Sequence, residues 1–466
     1  ASALGAIVCT DGLATSRRGS RGNVAGAAAA ASGGFAWELR NMGNRNYILD
    51  IEVGGHPITV LPDTGSFSLM VTSSRCPKSK CDFPKGFDPN ASKTYSEVDT
   101  VHAQQFGSGT VLLGAAKDRV RMPGFGEPRE LLFWEITEAD ERMGMLWQHA
   151  DFEAVLGLSW RSNAPVLSTE TEETAVREPT VLEVFDAPAF TVCLGRIELL
   201  PNKPAQKTPS YMYWAAGGAS AALLATRRAP ELSTPWTYLE VNGDSHWSVK
   251  LAGVELKHIT EDKPWKLACH DSPCAALIDI GASTITAPMA VYGTWATSAG
   301  KVQKDCSNFE LLPDLLVSLM DRHGEPLHLK IPPSAWVAKF AFTNRTSGAV
   351  THSCSSRVYP GAATNSQGEP MWILGTPFFQ SYVVDFDRTS SPARIGFAKH
   401  PGVCPAPAAG TLARLAPARS AAAISKAVEV HSSDDLLAAE EGTPIDAVTL
   451  AGLGLLEPAA AKPQAS

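Results

Sequence analysis

Two acidic motifs, Asp63-Thr64-Gly65-Ser66 and Asp279-Ile280-Gly281-Ala282-Ser283, stand 216 residues apart in a chain of 466. Each is followed at nearly the same distance by two apolar residues and a glycine. Gly157 of Val155-Leu156-Gly157 lies 94 residues after Asp63, and Gly375 of Ile373-Leu374-Gly375 lies 96 after Asp279. Such spacing describes one module written twice, each copy donating one aspartate. If the two aspartates meet, they form a proton-sharing acid/base pair.

A chain of this length exceeds the size at which a single core stops growing, so two lobes are expected. Hydrophobic residues make up 44% and charged residues 19%, and the apolar runs are short and separated by Gly, Pro, Asn and Ser. That pattern reads as many short strands and an all-β body. From Tyr47 two strands joined at Gly54-Gly55 deliver Asp63 at a strand-to-loop turn. Residues 1–34, Ala-, Gly-, Ser- and Arg-rich, read as a flexible leader or propeptide remnant. Lobes are expected over 35–195 and 196–404, with a disordered Ala/Pro-rich tail over 405–466. The polar stretches 168–178 and 201–210 read as surface insertions.

A net charge of −8, without Lys/Arg clusters interleaved with aromatics, argues against nucleic acid as a partner. The longest apolar stretches fall well short of the roughly 20 residues that span a bilayer. Because the sequence opens at Ala1 without a charged segment leading into an apolar run, any signal peptide is expected to lie outside it. Six of the nine cysteines fall into pairs: Cys76 with Cys81, Cys269 with Cys274, Cys306 with Cys354. The tight Cys-x4-Cys loops suit disulfides better than zinc, although His270 and His352 leave a metal alternative open. Disulfides imply an oxidising compartment, hence a secretory-route protein. Cys193, in an apolar run, reads as a buried small residue. Cys9 and Cys404 stay unassigned, a pairing between them being one option. The sequons Asn90-Ala-Ser and Asn344-Arg-Thr fit surface loops of a glycoprotein.

From about Tyr47 to Lys399 the chain resembles the pepsin-like aspartic proteases. Beside the two aspartate motifs stand Phe152-Glu-Ala-Val-Leu-Gly-Leu, Cys306-Ser-Asn-Phe-Glu-Leu-Leu-Pro-Asp-Leu, Trp372-Ile-Leu-Gly-Thr-Pro-Phe-Phe and Tyr382-Val-Val-Asp-Phe-Asp-Arg, in the family's order. The resemblance implies a bilobal fold with a pseudo-twofold axis and a cleft floored by Asp63 and Asp279. It implies a monomeric endopeptidase that needs no metal or cofactor and takes peptides with bulky apolar residues at the scissile bond. Thr64, Gly65, Ser66, Ile280, Gly281, Ala282 and Ser283 would support the pair. Phe106, Gly107 and Ser108 would form a flap over the substrate, positioned by the contact of Phe106 with Met70, and Leu146, Phe152 and Val155 would lie near the first apolar subsite, each being equally acceptable as ordinary core.

Three departures from the family pattern matter. At Ile280 the family usually has Thr or Ser, whose hydroxyl bonds across the lobe interface; losing it is expected to cost on the order of 1–3 kcal/mol unless packing compensates. The bland alternative is that Ile280 packs in an apolar interface. Ala282 replaces a Thr that would donate to the neighbouring carboxylate, which is expected to move activity toward neutral pH. Phe106 and Met70 replace the flap's Tyr and its Trp partner, exchanging a hydrogen bond for an apolar contact. An alternative function follows from these departures: a catalytically weakened peptide- or protein-binding module. No His-Glu-x-x-His, Gly-x-Ser-x-Gly or phosphate-loop pattern occurs.

Overall fold

The computed structural model describes residues 34–81, 83, 85–106, 109–160, 179–198, 206–215, 235–243, 246–272, 274–299, 301–343, 350–365 and 368–415. Residues 1–33 of the leader, the insertion at 168–178, residues 201–205 of that at 201–210, the tail beyond Leu415, Gly107, Ser108 and Asn344 lie outside the described residues, as does Cys9. In chain order the first half contains β1 (Phe35–Met42), β2 (Asn46–Val53), β3 (His56–Asp63), β4 (Leu69–Thr72), β5 (Ser96–Phe106), β6 (Gly109–Arg121), β7 (Arg129–Ala139), α1 (Glu141–Gln148), β8 (Ala154–Gly157) and β9 (Ala189–Cys193). Two lobes of mainly antiparallel sheet result, as expected of an all-β bilobal chain.

The β2–β3 turn shows why the sequence folds locally as it does. Gly54 and Gly55 sit at φ +60° and +82°, a left-handed backbone that a side chain resists and glycine does not. β3 then runs antiparallel to β2 and ends at Asp63. There it pairs in parallel with β8, Asp63 opposite Gly157, while β4 returns antiparallel to β8 with Leu69 opposite Leu156.

The second copy repeats this arrangement. Strand Cys274–Ile278 leads to Asp279 and pairs in parallel with Met371–Leu374, and Ile285–Pro288 returns antiparallel with Ile285 opposite Leu374. In each copy the returning strand meets the triplet six residues beyond the aspartate. Between the lobes a continuous run of strands passes from Thr237–Glu240 through Arg394–Lys399, Tyr382–Asp387, β9 and Ser210–Trp214 to β1. A single apolar core extends through both lobes. Where they meet, Trp160 and Trp247 pack edge to face at 4.2 Å, and the Trp247 indole N–H donates to Leu158 O at 2.8 Å.

Four disulfides are formed: Cys76–Cys81, Cys269–Cys274, Cys306–Cys354 and Cys193–Cys404. The last corrects the reading of Cys193 as a plain buried residue and gives Cys404 its partner. Cys193 lies on β9 in the central strands, where the returning chain after Lys399 passes over it, a long-range meeting that spacing does not encode. His400 stands beside both sulfurs, and Cys193, His400 and Cys404 are the group with metal-ligand spacing among the described residues. The imidazole is oriented against that use. Its Nδ1 accepts from Gly402 N, so Nε2 carries the proton and donates to Leu194 O; burial pushes its pKa down to about 4. Of residues 405–415, assigned above to the tail, 411–413 lie along β1, with Ala36 N donating to Thr411 O and Ala413 N to Ala36 O. Asn90 is exposed in the turn Pro89–Ala91.

Candidate active site

Both acidic motifs lie on loops whose geometry demands glycine. A Cβ on Gly281 would collide with Asp63 Oδ1 and stand 2.7 Å from its Cγ, and one on Gly65 would stand 2.8 Å from Asp279 Oδ2. Each glycine therefore lets its own loop pass against the carboxylate of the opposite lobe. The triplet glycines act one layer below. A Cβ on Gly157 would meet the Phe67–Ser68 backbone at 2.5 Å, and one on Gly375 would collide with Thr284 O. Leu158 N donates to Asp63 O, and Thr376 N to Ala282 O, so each triplet clasps its aspartate loop from beneath.

These contacts bring Asp63 and Asp279 together. Asp63 accepts from Gly65 N at 2.8 Å and from the Ser66 hydroxyl at 2.5 Å, one donor on each oxygen. Asp279 is buried and accepts from Gly281 N at 2.8 Å. Desolvation first, then the charge and hydrogen-bonding contact of Asp63, push its carboxyl well above the usual carboxylate range. The Gly281 and Gly65 amides pull the other way without prevailing. Asp279 therefore keeps its proton more readily than an ordinary carboxyl group does.

Thr64 ties the loops across the interface. Its hydroxyl donates to Ile278 O at 2.8 Å and accepts from Ile280 N at 3.1 Å, and the residue is fully buried. The same hydroxyl stands 3.5 Å from Asp279 Oδ1, a weak contact beside the 2.8 Å bond that uses its proton. Ser159 donates to Thr64 O at 2.8 Å and steadies it from its own lobe. Ile280 returns no hydroxyl. Its side chain is 1% exposed and belongs to the apolar core, so it is accommodated by packing. Ala282 likewise leaves the Asp279 side without a counterpart to Ser66, and Ser283 contributes its carbonyl rather than its hydroxyl, to Arg357 and Thr376.

The expected subsite residues fall into one apolar cluster separate from the main core. Met70, Phe152 and Val155 are buried in it, and Leu146 and Phe106 pack against it. Trp134 and Trp147 join them and were not singled out from the sequence. Trp134 sits opposite Met70 on neighbouring parallel strands, so a large ring remains beside the position where the family usually has Trp. Trp147 stacks edge-on against Phe152 at 5.1 Å; its place beside Leu146 on α1 was the available signal. Asp140 was missed as well. Its carboxylate caps α1 through Met143 N and accepts from Thr110 N at 2.6 Å, linking that helix to the turn end of the β5–β6 hairpin.

The sequence profile of the family described as eukaryotic aspartyl protease matches residues 46–400. The chain belongs to that family. It is 25% identical over 372 residues to pepsin-2B of Gadus morhua, covering 78% of this chain and 98% of that protein. It is 24% identical to gastricsin of Homo sapiens, covering 76% and 81%, and 26% identical to renin of Echis ocellatus, covering 77% and 82%. The aspartyl protease assignment thus extends over both aspartate motifs and both triplets. Among the described residues no helix is long and apolar enough to cross a membrane.

Proposed function

We propose that this aspartyl protease homologue is an active endopeptidase whose catalytic residues are Asp63 and Asp279. The observation that carries the reading is the facing pair of carboxyl groups: Gly65 N and the Ser66 hydroxyl donate to Asp63, while burial and the neighbouring charge favour the proton on Asp279. A water bound between them gives a proton to Asp63 as its oxygen attacks the peptide carbonyl carbon. Asp279 gives its proton to the carbonyl oxygen, producing a tetrahedral diol. Collapse of the diol breaks the C–N bond, with the proton on Asp63 passing to the leaving nitrogen and a diol proton returning to Asp279. No covalent enzyme intermediate forms, and the atoms balance without a cofactor.

The cluster holding Met70, Leu146, Phe152 and Val155 fits bulky apolar side chains beside the scissile bond, with the β5–β6 hairpin carrying Phe106 as the flap. Because Ala282 supplies no donor to Asp279, activity extends toward neutral pH relative to a dyad with hydroxyls on both sides. Four disulfides suit a monomer that matures on the secretory route. Ile280 favours the second reading, a binding module with little or no turnover. Hydrolysis of a fluorogenic peptide with apolar residues flanking the scissile bond, measured from about pH 3 to 8, separates the two. Turnover abolished by Asp63→Asn supports the endopeptidase; peptide binding without cleavage at any pH supports the module.

A further inference from the structure

We propose that Arg357 is a positioning residue for the aspartate pair, its buried guanidinium supplying the brace between lobes that a hydroxyl at position 280 would otherwise give. Its kinetic consequences rest on the endopeptidase reading; its mechanical ones do not.

Arg357 lies in the single-residue gap between strands Val350–Ser356 and Val358–Gly361 and is 6% exposed. One guanidinium nitrogen, Nη2, donates to Ser283 O at 2.7 Å, Thr376 Oγ1 at 2.6 Å and Asn44 O at 2.9 Å. The other, Nη1, reaches Ala335 O and Gln380 Oε1, both at 3.3 Å. Ser283 closes the Asp279 motif, Thr376 follows the second triplet, and Asn44 forms the β1–β2 turn. A single side chain therefore joins the N-terminal hairpin to the two loops beneath Asp279. Its backbone grips the same loop, with Ile285 N donating to Arg357 O at 2.8 Å.

All five acceptors are neutral, and among the described residues no carboxylate pairs with this guanidinium. A buried cation without a counterion is costly and is not a source of stability by itself. What the fork provides is geometry: several donors at fixed angles in one plane, which neither lysine nor an apolar residue reproduces. Burial pushes the guanidinium down to about 10, so it remains cationic wherever an aspartate pair works. The surrounding groups complete the knot. Gln380 Nε2 donates to Asn44 O and to the Tyr47 hydroxyl, Arg196 donates to Gln380 O, and Asn44 accepts from Ile197 N.

The link to Ile280 follows from the two ends of the Asp279 loop. Its near end is held by Thr64, whose hydroxyl takes Ile280 N. No hydroxyl at 280 reaches back to the Asp63 loop, so the hold between lobes runs one way there. Arg357 holds the far end at Ser283 and anchors it to Asn44 of the other half.

The test crosses Arg357→Lys with Ile280→Thr in the full chain and measures peptide hydrolysis together with amide hydrogen exchange over 279–285. Arg357→Lys should lower kcat by about 10–100-fold with KM within about threefold, and speed local exchange by about tenfold or more. Ile280→Thr should then raise kcat and restore protection by a factor at least about fivefold larger in the Arg357→Lys background than alone. Equal factors in both backgrounds, or unchanged exchange in Arg357→Lys, overturn the proposal. Should Arg357→Lys fail to fold, Thr376→Val, which removes one acceptor and a second donor to Ser283 O, carries the same comparison, and unaltered local exchange there overturns it. Absence of hydrolysis in the unaltered chain would defeat the endopeptidase reading, while the exchange measurement would still decide Arg357.

Discussion

A Thr64→Val substitution isolates the one hydroxyl that links the aspartate loops. Valine keeps the shape of a fully buried side chain, so no cavity term enters. The hydroxyl both donates to Ile278 O at 2.8 Å and accepts from Ile280 N at 3.1 Å. Its removal leaves a buried N–H without that acceptor and a buried carbonyl without that donor, a cost of about 2–4 kcal/mol. Position 280 has no hydroxyl to take over. Urea unfolding followed by tryptophan fluorescence should show the unfolding free energy falling by that amount, as a lower midpoint at constant slope. Thr64→Ser, which keeps the hydroxyl, should lose less than about 1.5 kcal/mol, and peptide turnover should fall far more for Val than for Ser. Equal destabilisation by Val and Ser would show that the hydroxyl is not the bridge, and the reasoning fails.

Gly281→Ala drives a methyl against Asp63 Oδ1, 2.7 Å from its Cγ, and should cut kcat by about 100-fold or more; Gly293→Ala, on a helix with open space around it, serves as the control in the same assay. Replacing Cys193 and Cys404 together by Ala opens a loop spanning 211 residues and should cost about 2–5 kcal/mol in urea unfolding, against less for the Cys76–Cys81 pair. Ala282→Ser offers Asp279 the kind of donor Ser66 offers Asp63, favours its ionised form, and should move the alkaline limb of the kcat/KM profile down by about one pH unit. Asp279 contributes to stability with a definite sign: its pKa is raised above 3.8, so its stabilising neutral form is complete below that value and is lost as pH rises through the folded-state value. Asp279→Asn should therefore gain stability relative to the unaltered chain as pH increases toward neutrality, read from thermal melts at several pH values.

How far the sequence foretells this molecule depends on whether a feature is local or written twice. The duplicated motif and triplet place Asp63, Asp279, Gly157 and Gly375 in one arrangement because strand pairing preserves their spacing, and Gly54-Gly55 marks its turn outright. Leu146, Phe152 and Val155, named through resemblance, share one apolar cluster. Arg357 was not legible. It sits among Ser, Val and Tyr between two strands with no nearby acid, and its significance arises from carbonyls contributed by distant segments. Cys193–Cys404 escaped for the same reason, since a disulfide closing so long a loop leaves no mark in spacing. Trp134 was hidden because it lies opposite Met70 only once two strands are laid side by side.

The two copies of the module have diverged in a correlated way. Thr64 and Ser66 retain hydroxyls in the first, and Ile280 and Ala282 carry none in the second, so the close side-chain donor falls on Asp63 while Asp279 is buried and held by a backbone amide. A symmetric pair would leave acid and base to be decided by the substrate. Here burial, then the neighbouring charge, favour the proton on Asp279 before substrate binds. The mechanical consequence runs opposite to the electrostatic one: the loop that gains a defined protonation state loses an anchor. A fork of neutral hydrogen bonds from Arg357 restores the anchor without adding a donor to Asp279, so the brace and the polarity of the pair are set by different residues.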